Sequence, residues 1–187
     1  KVTIVPRGQA LGAAWYLPEE RQITTKAQLL DQMVSLLGGR AAEELVFGEV
    51  STGALNDLER VTKQAYAMVV YYGLDKEIGN LSFYDSSGQS EYGFQKPFSE
   101  KTAEKIDAQI RTMVEEAYEK AKSLLKDNRE KLDALAQILV EREVIFREDV
   151  EAIYGPRPWN EEIEIKKEES EIKKEESETK KDEIVSE

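Results

Sequence analysis

Residues 51–62 read STGALNDLERVT, a Ser/Thr-Gly turn running into helix-forming sequence with Asn56 and Asp57 near its start. At about 100° per residue, Leu58, Val61, Ala65, Met68, Val69 and Tyr72 share one apolar face, and Asp57 lies at its border. Arg60 and Asn56 fall on the solvent side. An acid there has two uses. It can sit in the first turn and complement the helix dipole, worth about 0.3–1 kcal/mol. It can also reach a metal or a catalytic group held by a neighbouring helix. Spacing leaves both open and leans to the first, because acids in first turns are routine. Glu43 and Glu44, in GGRAAEE, pose the same choice. They follow the Gly38-Gly39 pair, where a neighbouring helix could approach closely, yet most Glu pairs on helices are solvated surface.

The missing residue types narrow the chemistry further. With no His and no Cys among 187 residues, the chain supplies neither an imidazole nor a thiolate. Disulfides, thiolate zinc sites and Cys nucleophiles are excluded, which is compatible with a reducing compartment. There is no Ser-His-Asp set and no paired-ligand metal motif. Gly8, Gly12 and Gly38-Gly39 form neither a dinucleotide fingerprint nor a phosphate loop. A formal charge of −12 argues against nucleic acid, whose phosphates require clustered Lys and Arg. Residues 160–187 carry half of that charge, so the rest of the chain is only mildly acidic. No apolar run approaches the length of a bilayer span. The opening KVTIVPRG has no initiator Met and no signal-peptide pattern, and it is expected to be the start of a piece of a longer chain.

The elements that must position these acids are mainly helical. KVTIVPRG and ALGAAWYLP read as a small β-hairpin or an edge pair. Thr25-Lys26-Ala27-Gln28 is a capping box that opens a helix with Leu29, Leu30, Met33, Leu36 and Leu37 on one face. Gly38-Gly39 is expected to interrupt that helix before RAAEELVFG resumes it. A second helix is expected from about Leu55 to Tyr72, stopped by Gly73. Residues 78–98 read as a short strand and a mobile loop. Ser99 caps a long amphipathic helix with Ile106, Ile110, Met113, Val114, Ala117, Tyr118, Ala121 and Leu125 on its stripe. KDNREK turns it into a further helix bearing Leu132, Leu135, Leu139 and Val140, as an antiparallel helical hairpin. REDVEAIYG is a last short helix closed by Gly155-Pro156. The fold class is therefore mainly α with a small β-hairpin or edge strands, in a domain over residues 1–157. Residues 158–187 contain EIKKEES twice, then ETKKDE. Each repeat offers at most one apolar residue where a coiled-coil seam needs two, so this segment reads as a disordered charged tail.

Taken together, VTIVPRGQALGAAWYLPEE, LLGGRAAEELVFGEVSTGALNDLERVTKQAYAMVVYYG and the helical hairpin resemble the peptidase domain of the FtsH family. These are membrane-anchored AAA+ ATP-dependent zinc metalloproteases of bacteria, mitochondria and chloroplasts. The resemblance covers about residues 1–157 in unbroken order. The IVPRG-x-ALG hairpin, GGRAAEE and STGA-x-NDLERVT carry it.

The resemblance implies a zinc ion held by two His of a His-Glu-x-x-His helix and by a distant carboxylate, which falls on Asp57. The Glu of that helix acts as general base on the zinc-bound water. It implies that Glu43 lies near the zinc-binding helix as a supporting partner of the ligands. It implies that Leu11, Gly12, Ala13, Ala14 and Trp15 form the edge strand on which unfolded substrate is laid by backbone pairing. ATP and magnesium belong to an AAA+ domain, homo-hexamers to the assembly, and the bacterial inner membrane to the anchor, with the peptidase domain in the cytoplasm. Partners are unfolded or membrane proteins, not nucleic acid. This chain departs from the pattern in containing no His-Glu-x-x-His, so by itself it is expected to be inactive. A proteolytically dead relative that serves assembly or chaperone roles is the competing expectation.

Overall fold

The computed structural model describes residues 1–8, 12–15, 23–84 and 97–156. The chain divides into two compact units, one helical over residues 18–129 and one built around a small sheet from residues 1–17 and 130–187. Leu11, residues 85–96 of the expected loop, and the expected tail at 158–187 lie outside the described residues.

The helical unit has three long helices. Helix α1 (Lys26–Phe47) opens on the expected capping box, with Gln28 N–H donating to Thr25 Oγ1 and Thr25 N–H to Gln28 Oε1. It ends at Gly48, whose φ of 75° is the left-handed conformation that glycine adopts without a Cβ penalty. Gly38-Gly39 does not interrupt α1. The helix runs straight through, and a Cβ at either glycine would meet nothing within 4 Å, so neither serves close packing. The propensity cost of two glycines, about 1 kcal/mol each, is outweighed by the packing of Met33, Val34 and Leu37 on the preceding turns.

Helix α2 (Leu55–Tyr66) follows a short 3-10 turn at Thr52–Ala54 and continues as a π-helical turn over Ala67–Tyr71. Gly73 (φ 61°) closes it as expected. The π turn corrects the apolar face read at 100° per residue: Val70 is buried at 1% exposure, whereas Tyr72 is 60% exposed. Widening the turn to i→i+5 bonds delays every later residue around the axis. The strand expected after residue 78 is absent from 78–84. Asp75 organises a turn there, its Oδ1 accepting the N–H groups of Glu77 and Ile78 and its carbonyl that of Gly79.

Helix α3 (Glu100–Asp127) is capped by Ser99 Oγ, which accepts from Thr102 N–H. Its stripe is as expected: Ile106, Met113, Ala117 and Ala121 are buried, with Ile110, Val114, Tyr118 and Leu125 packed at the margin. One apolar core joins these to Met33, Val34, Leu37 and Ala41 of α1 and to Val61, Ala65, Met68, Val69 and Val70 of α2 and its π turn. Gln64 Nε2 donates to Leu29 O at 2.7 Å, and Lys120 Nζ to Asp31 Oδ1 at 2.8 Å, tying α2 and α3 to the first turns of α1.

In the other unit, β1 (Val2–Thr3) pairs antiparallel with β2 (Ala13–Ala14) and, on its other side, with β3 (Val144–Ile145). The order is β2-β1-β3, so β2 is an edge, as read. Helix α4 (Arg129–Arg142) precedes β3 and α5 (Arg147–Tyr154) follows it. The apolar stripe read for α4 stops at Leu139. Val140 lies 100° further round the helix and is 69% exposed. Glu143 joins α4 to β3 with φ of 60°, and its carbonyl accepts from Ile4 N–H at 3.1 Å and from the buried Thr3 hydroxyl at 2.8 Å.

Gly12 enters β2 where a Cβ would lie 2.8 Å from Thr3 O. Gly12→Ala is therefore expected to force β2 away from β1, costing about 1–3 kcal/mol. Faster hydrogen exchange at Trp15 N–H, which donates to Lys1 O at 2.8 Å, would register it. Unchanged exchange would show that the strand yields without loss.

Candidate metal-ligand site

The sequence singled out Asp57, Glu43 and Glu44, and the structure places all three in the helical unit. Asp57 stands in the first turn of α2 with its side chain 42% exposed. Among the described residues no hydrogen-bond donor engages its carboxylate, and its ion pair with Arg60 is long, 4.0 Å to Nη1. An oxygen donor without close partners fits a metal. Asp57 is one ligand, however, and a catalytic zinc site takes three from protein. No group of three His, Cys, Asp or Glu that could hold a metal occurs among the described residues. The fit is that of a contributing ligand and not of a whole site.

Glu43 is engaged on both oxygens. Ser51 N–H donates to Oε2 at 2.8 Å and Ser51 Oγ to Oε1 at 2.9 Å. Ser51 Oγ in turn accepts from Gly53 N–H at 3.1 Å, capping the 3-10 turn that leads into α2. A carboxylate on α1 thus holds the turn from which Asp57 projects six residues later. Gly53 suits that turn, because a Cβ there would press on Ser51 Oγ at 3.2 Å.

Glu44 points elsewhere. Its Oε2 accepts from the Tyr118 hydroxyl and its Oε1 from Lys122 Nζ at 3.2 Å, both on α3. Lys122 also pairs with Glu119 at 3.1 Å. Reading Glu44 as ordinary solvated surface missed this. The signal was available only as a Tyr and a Lys four apart on the α3 stripe, whose partner no spacing rule identifies. Two shallow hollows flank the pair, one lined by Glu43, Phe47 and Ser51, the other by Arg40, Glu44 and Tyr118. Asp57 lines neither.

These bonds set the acidity of both groups. The Ser51 amide, then its hydroxyl, holds the Glu43 carboxyl below the ordinary value of 4.5. The Tyr118 hydroxyl, then Lys122, does the same for Glu44, while burial raises the Tyr118 phenol. A carboxyl with a depressed folded pKa adds stability above its unfolded pKa, and that stability is lost as pH falls through the folded value. Urea midpoints of the chain are therefore expected to drop as pH is lowered below about 4.5. Glu43→Gln should flatten that slope while leaving the neutral-pH fold intact, and parallel slopes in the two proteins would contradict it.

The candidate substrate strand lies in the sheet unit. Ala13 and Ala14 form the outer strand β2, flanked by Gly12 and Trp15, and Trp15 is 46% exposed. Leu11 is outside the described residues.

Residues 1–153 match the family model described as Peptidase family M41. The chain is 63% identical to an ATP-dependent zinc metalloprotease FtsH of Parabacteroides distasonis, over 85% of its own length and 23% of that protein. It is 43% identical to the mitochondrial inner membrane m-AAA protease component AFG3L2 of Mus musculus, over 86% of its length and 20% of the relative. It is 47% identical to the mitochondrial ATP-dependent zinc metalloprotease FTSH 3 of Oryza sativa, over 85% and 20%. The chain spans about a quarter or less of the length of these curated relatives.

Proposed function

Because the chain belongs to peptidase family M41, we propose that it is the C-terminal part of a membrane-anchored, ATP-dependent zinc metalloendopeptidase that degrades unfolded or unassembled proteins. The observation that carries this reading is Asp57: a carboxylate at the start of α2, partly exposed and without a close donor, on the helix that follows the turn clasped by Glu43 and Ser51. Asp57 contributes one zinc ligand. The two His and the general base come from elsewhere in the longer protein, since this chain contains no His. Zinc at such a site polarises the scissile carbonyl and activates water. The residues of this chain supply the placement of one donor, and alone they carry no peptidase activity.

Glu43 serves as a supporting residue and not as a ligand, because both its oxygens are already engaged by Ser51. Phe47 and Leu55, each about three-quarters exposed, leave apolar surface on either side of the Ser51 turn. Such surface suits coverage by a further segment of the longer protein. In the sheet unit, the outer strand Ala13–Ala14, flanked by Gly12 and Trp15, offers unfolded substrate a backbone partner that ignores side-chain sequence.

ATP and magnesium act at an AAA+ domain of the longer protein, which assembles as a homo-hexamer and delivers substrate. The membrane anchor is assigned to another part of that protein; no described helix is long and apolar enough to cross a membrane. The peptidase domain works in the cytoplasm, at a bacterial inner membrane. The peptidase segment is assigned to residues 1–157, and residues 158–187 carry the charged repeats. The test is the zinc content of the longer protein after Asp57→Ala.

A further inference from the structure

Adjacent carboxylates on α1 reach in two directions, and the second has no part in the reading above. The last turns of α1 have little apolar grip. Upstream of Gly38-Gly39 the helix buries Met33, Val34 and Leu37, but beyond the glycines Ala41 is its one buried residue. The glycines themselves touch nothing a side chain would touch, and glycine leaves the backbone its greatest freedom. Polar contacts must therefore fix where Glu43 sits. Those contacts are the Tyr118 hydroxyl and Lys122 Nζ on Glu44.

We propose that Tyr118 and Lys122 of α3 are positioning residues for Asp57: they anchor Glu44, and the anchored end of α1 presents Glu43 to the Ser51–Gly53 turn that launches α2. The inference rests on Asp57 being a zinc ligand. The contacts at Glu44, at Glu43 and within the Ser51–Gly53 turn are hydrogen bonds. The α1 backbone joins Glu44 to Glu43, and the α2 backbone carries the turn to Asp57, whose carboxylate no donor among the described residues steadies directly. A ligand without its own donor takes its position from the backbone beneath it, and partners beyond the first layer commonly change metal affinity 10–100-fold.

The experiment uses the longer protein loaded with zinc or, as a spectroscopic probe, cobalt. Tyr118→Phe keeps the ring and removes only the hydroxyl. It should speed metal loss to a chelator by roughly tenfold and alter the cobalt absorption spectrum of the folded protein at temperatures well below its transition, the melting temperature itself falling only by what one lost hydrogen bond costs. Lys122→Met should act likewise, and Lys122→Arg should restore retention. Ser51 and Tyr118 bond to different carboxylates, so Ser51→Ala and Tyr118→Phe combined should be less than additive if they act along one path. Fully additive effects, or an unchanged cobalt spectrum in Tyr118→Phe, would overturn the proposal. Asp57→Asn separates the two levels. If it strips the metal while Tyr118→Phe does not, the positioning role alone falls; if it leaves the metal bound, the ligand assignment falls and takes the positioning role with it.

Discussion

In the longer protein that carries this segment, Asp57→Ala is expected to remove bound zinc and with it peptide-bond hydrolysis, while leaving ATP hydrolysis in place. The magnitude follows from ligand count. A catalytic zinc keeps three protein ligands and one open position, so losing a ligand should exceed the 10–100-fold cost typical of an outer-layer partner. The competing reading makes a different prediction. If Asp57 only complements the dipole of α2, the alanine variant keeps its zinc and loses about 0.3–1 kcal/mol of stability. Metal content by atomic spectrometry, casein degradation and thermal unfolding on the same preparation separate the two. Full zinc occupancy in Asp57→Ala would end the ligand assignment. Folding itself should survive, because Asp57 is 42% exposed and its ion pair with Arg60 is long and solvent-facing.

On the reading proposed for Asp57, Glu43 and Glu44 would let a ligand sit on a partly exposed helix start and still be well placed. The pair divides its work between Ser51 ahead in the chain and Tyr118 and Lys122 on α3. Two carboxylates one residue apart point about 100° apart around a helix, so one turn of α1 can grip a neighbouring turn and a neighbouring helix together. A single acid could not do both.

Local rules were enough wherever a signal lay within one turn of the chain. The Thr25–Gln28 capping box, the Ser99 cap, the Gly73 stop and the α3 stripe could be read from residue types three and four apart. So could the pairing of β1 with β2, from alternation at Val2 and Ile4 before a Pro-Arg-Gly turn. The failures share a cause. Gly38-Gly39 looked like a break because propensity is local, whereas α1 is held by Met33 and Leu37 against a core that propensity does not see. β3 was missed because Val144 and Ile145 find their partner some 140 residues away at Val2 and Thr3. The Glu44–Tyr118 bond was illegible for the same reason, spanning 74 residues. Asp57 is the instructive case. Its helical position followed from spacing, yet spacing could not choose between a first-turn acid and a ligand, and that choice entered with the family motif around it.

The π turn yields the largest stability contrast. A regular helix puts Met68 and Tyr72 on one face, because residues four apart lie 40° apart. Substituting either by alanine should then cost a similar amount. The structure separates them: Met68 is fully buried in the core, and Tyr72 is 60% exposed. Between them the chain takes i→i+5 bonds, with Tyr72 N–H donating to Ala67 O at 2.9 Å. The wider turn lets Met68, Val69 and Val70 all enter the core in succession, and it carries Tyr72 out. Met68→Ala is expected to lose about 2–5 kcal/mol, the transfer free energy of the thioether plus the cavity left behind. Tyr72→Ala should fall within about 0.5 kcal/mol of the parent. Urea denaturation followed by far-ultraviolet circular dichroism measures both, with m-values checked for constancy. Equal losses would mean that the helix keeps its regular period to Gly73 and that the π turn is not the form it takes in solution. The contrast bears on the site as well. Val61 and Ala65 fix α2 against the same core that Met68 completes, so loosening Met68 should free the helix from its far end while the Glu43–Ser51 clasp still holds the end that presents Asp57.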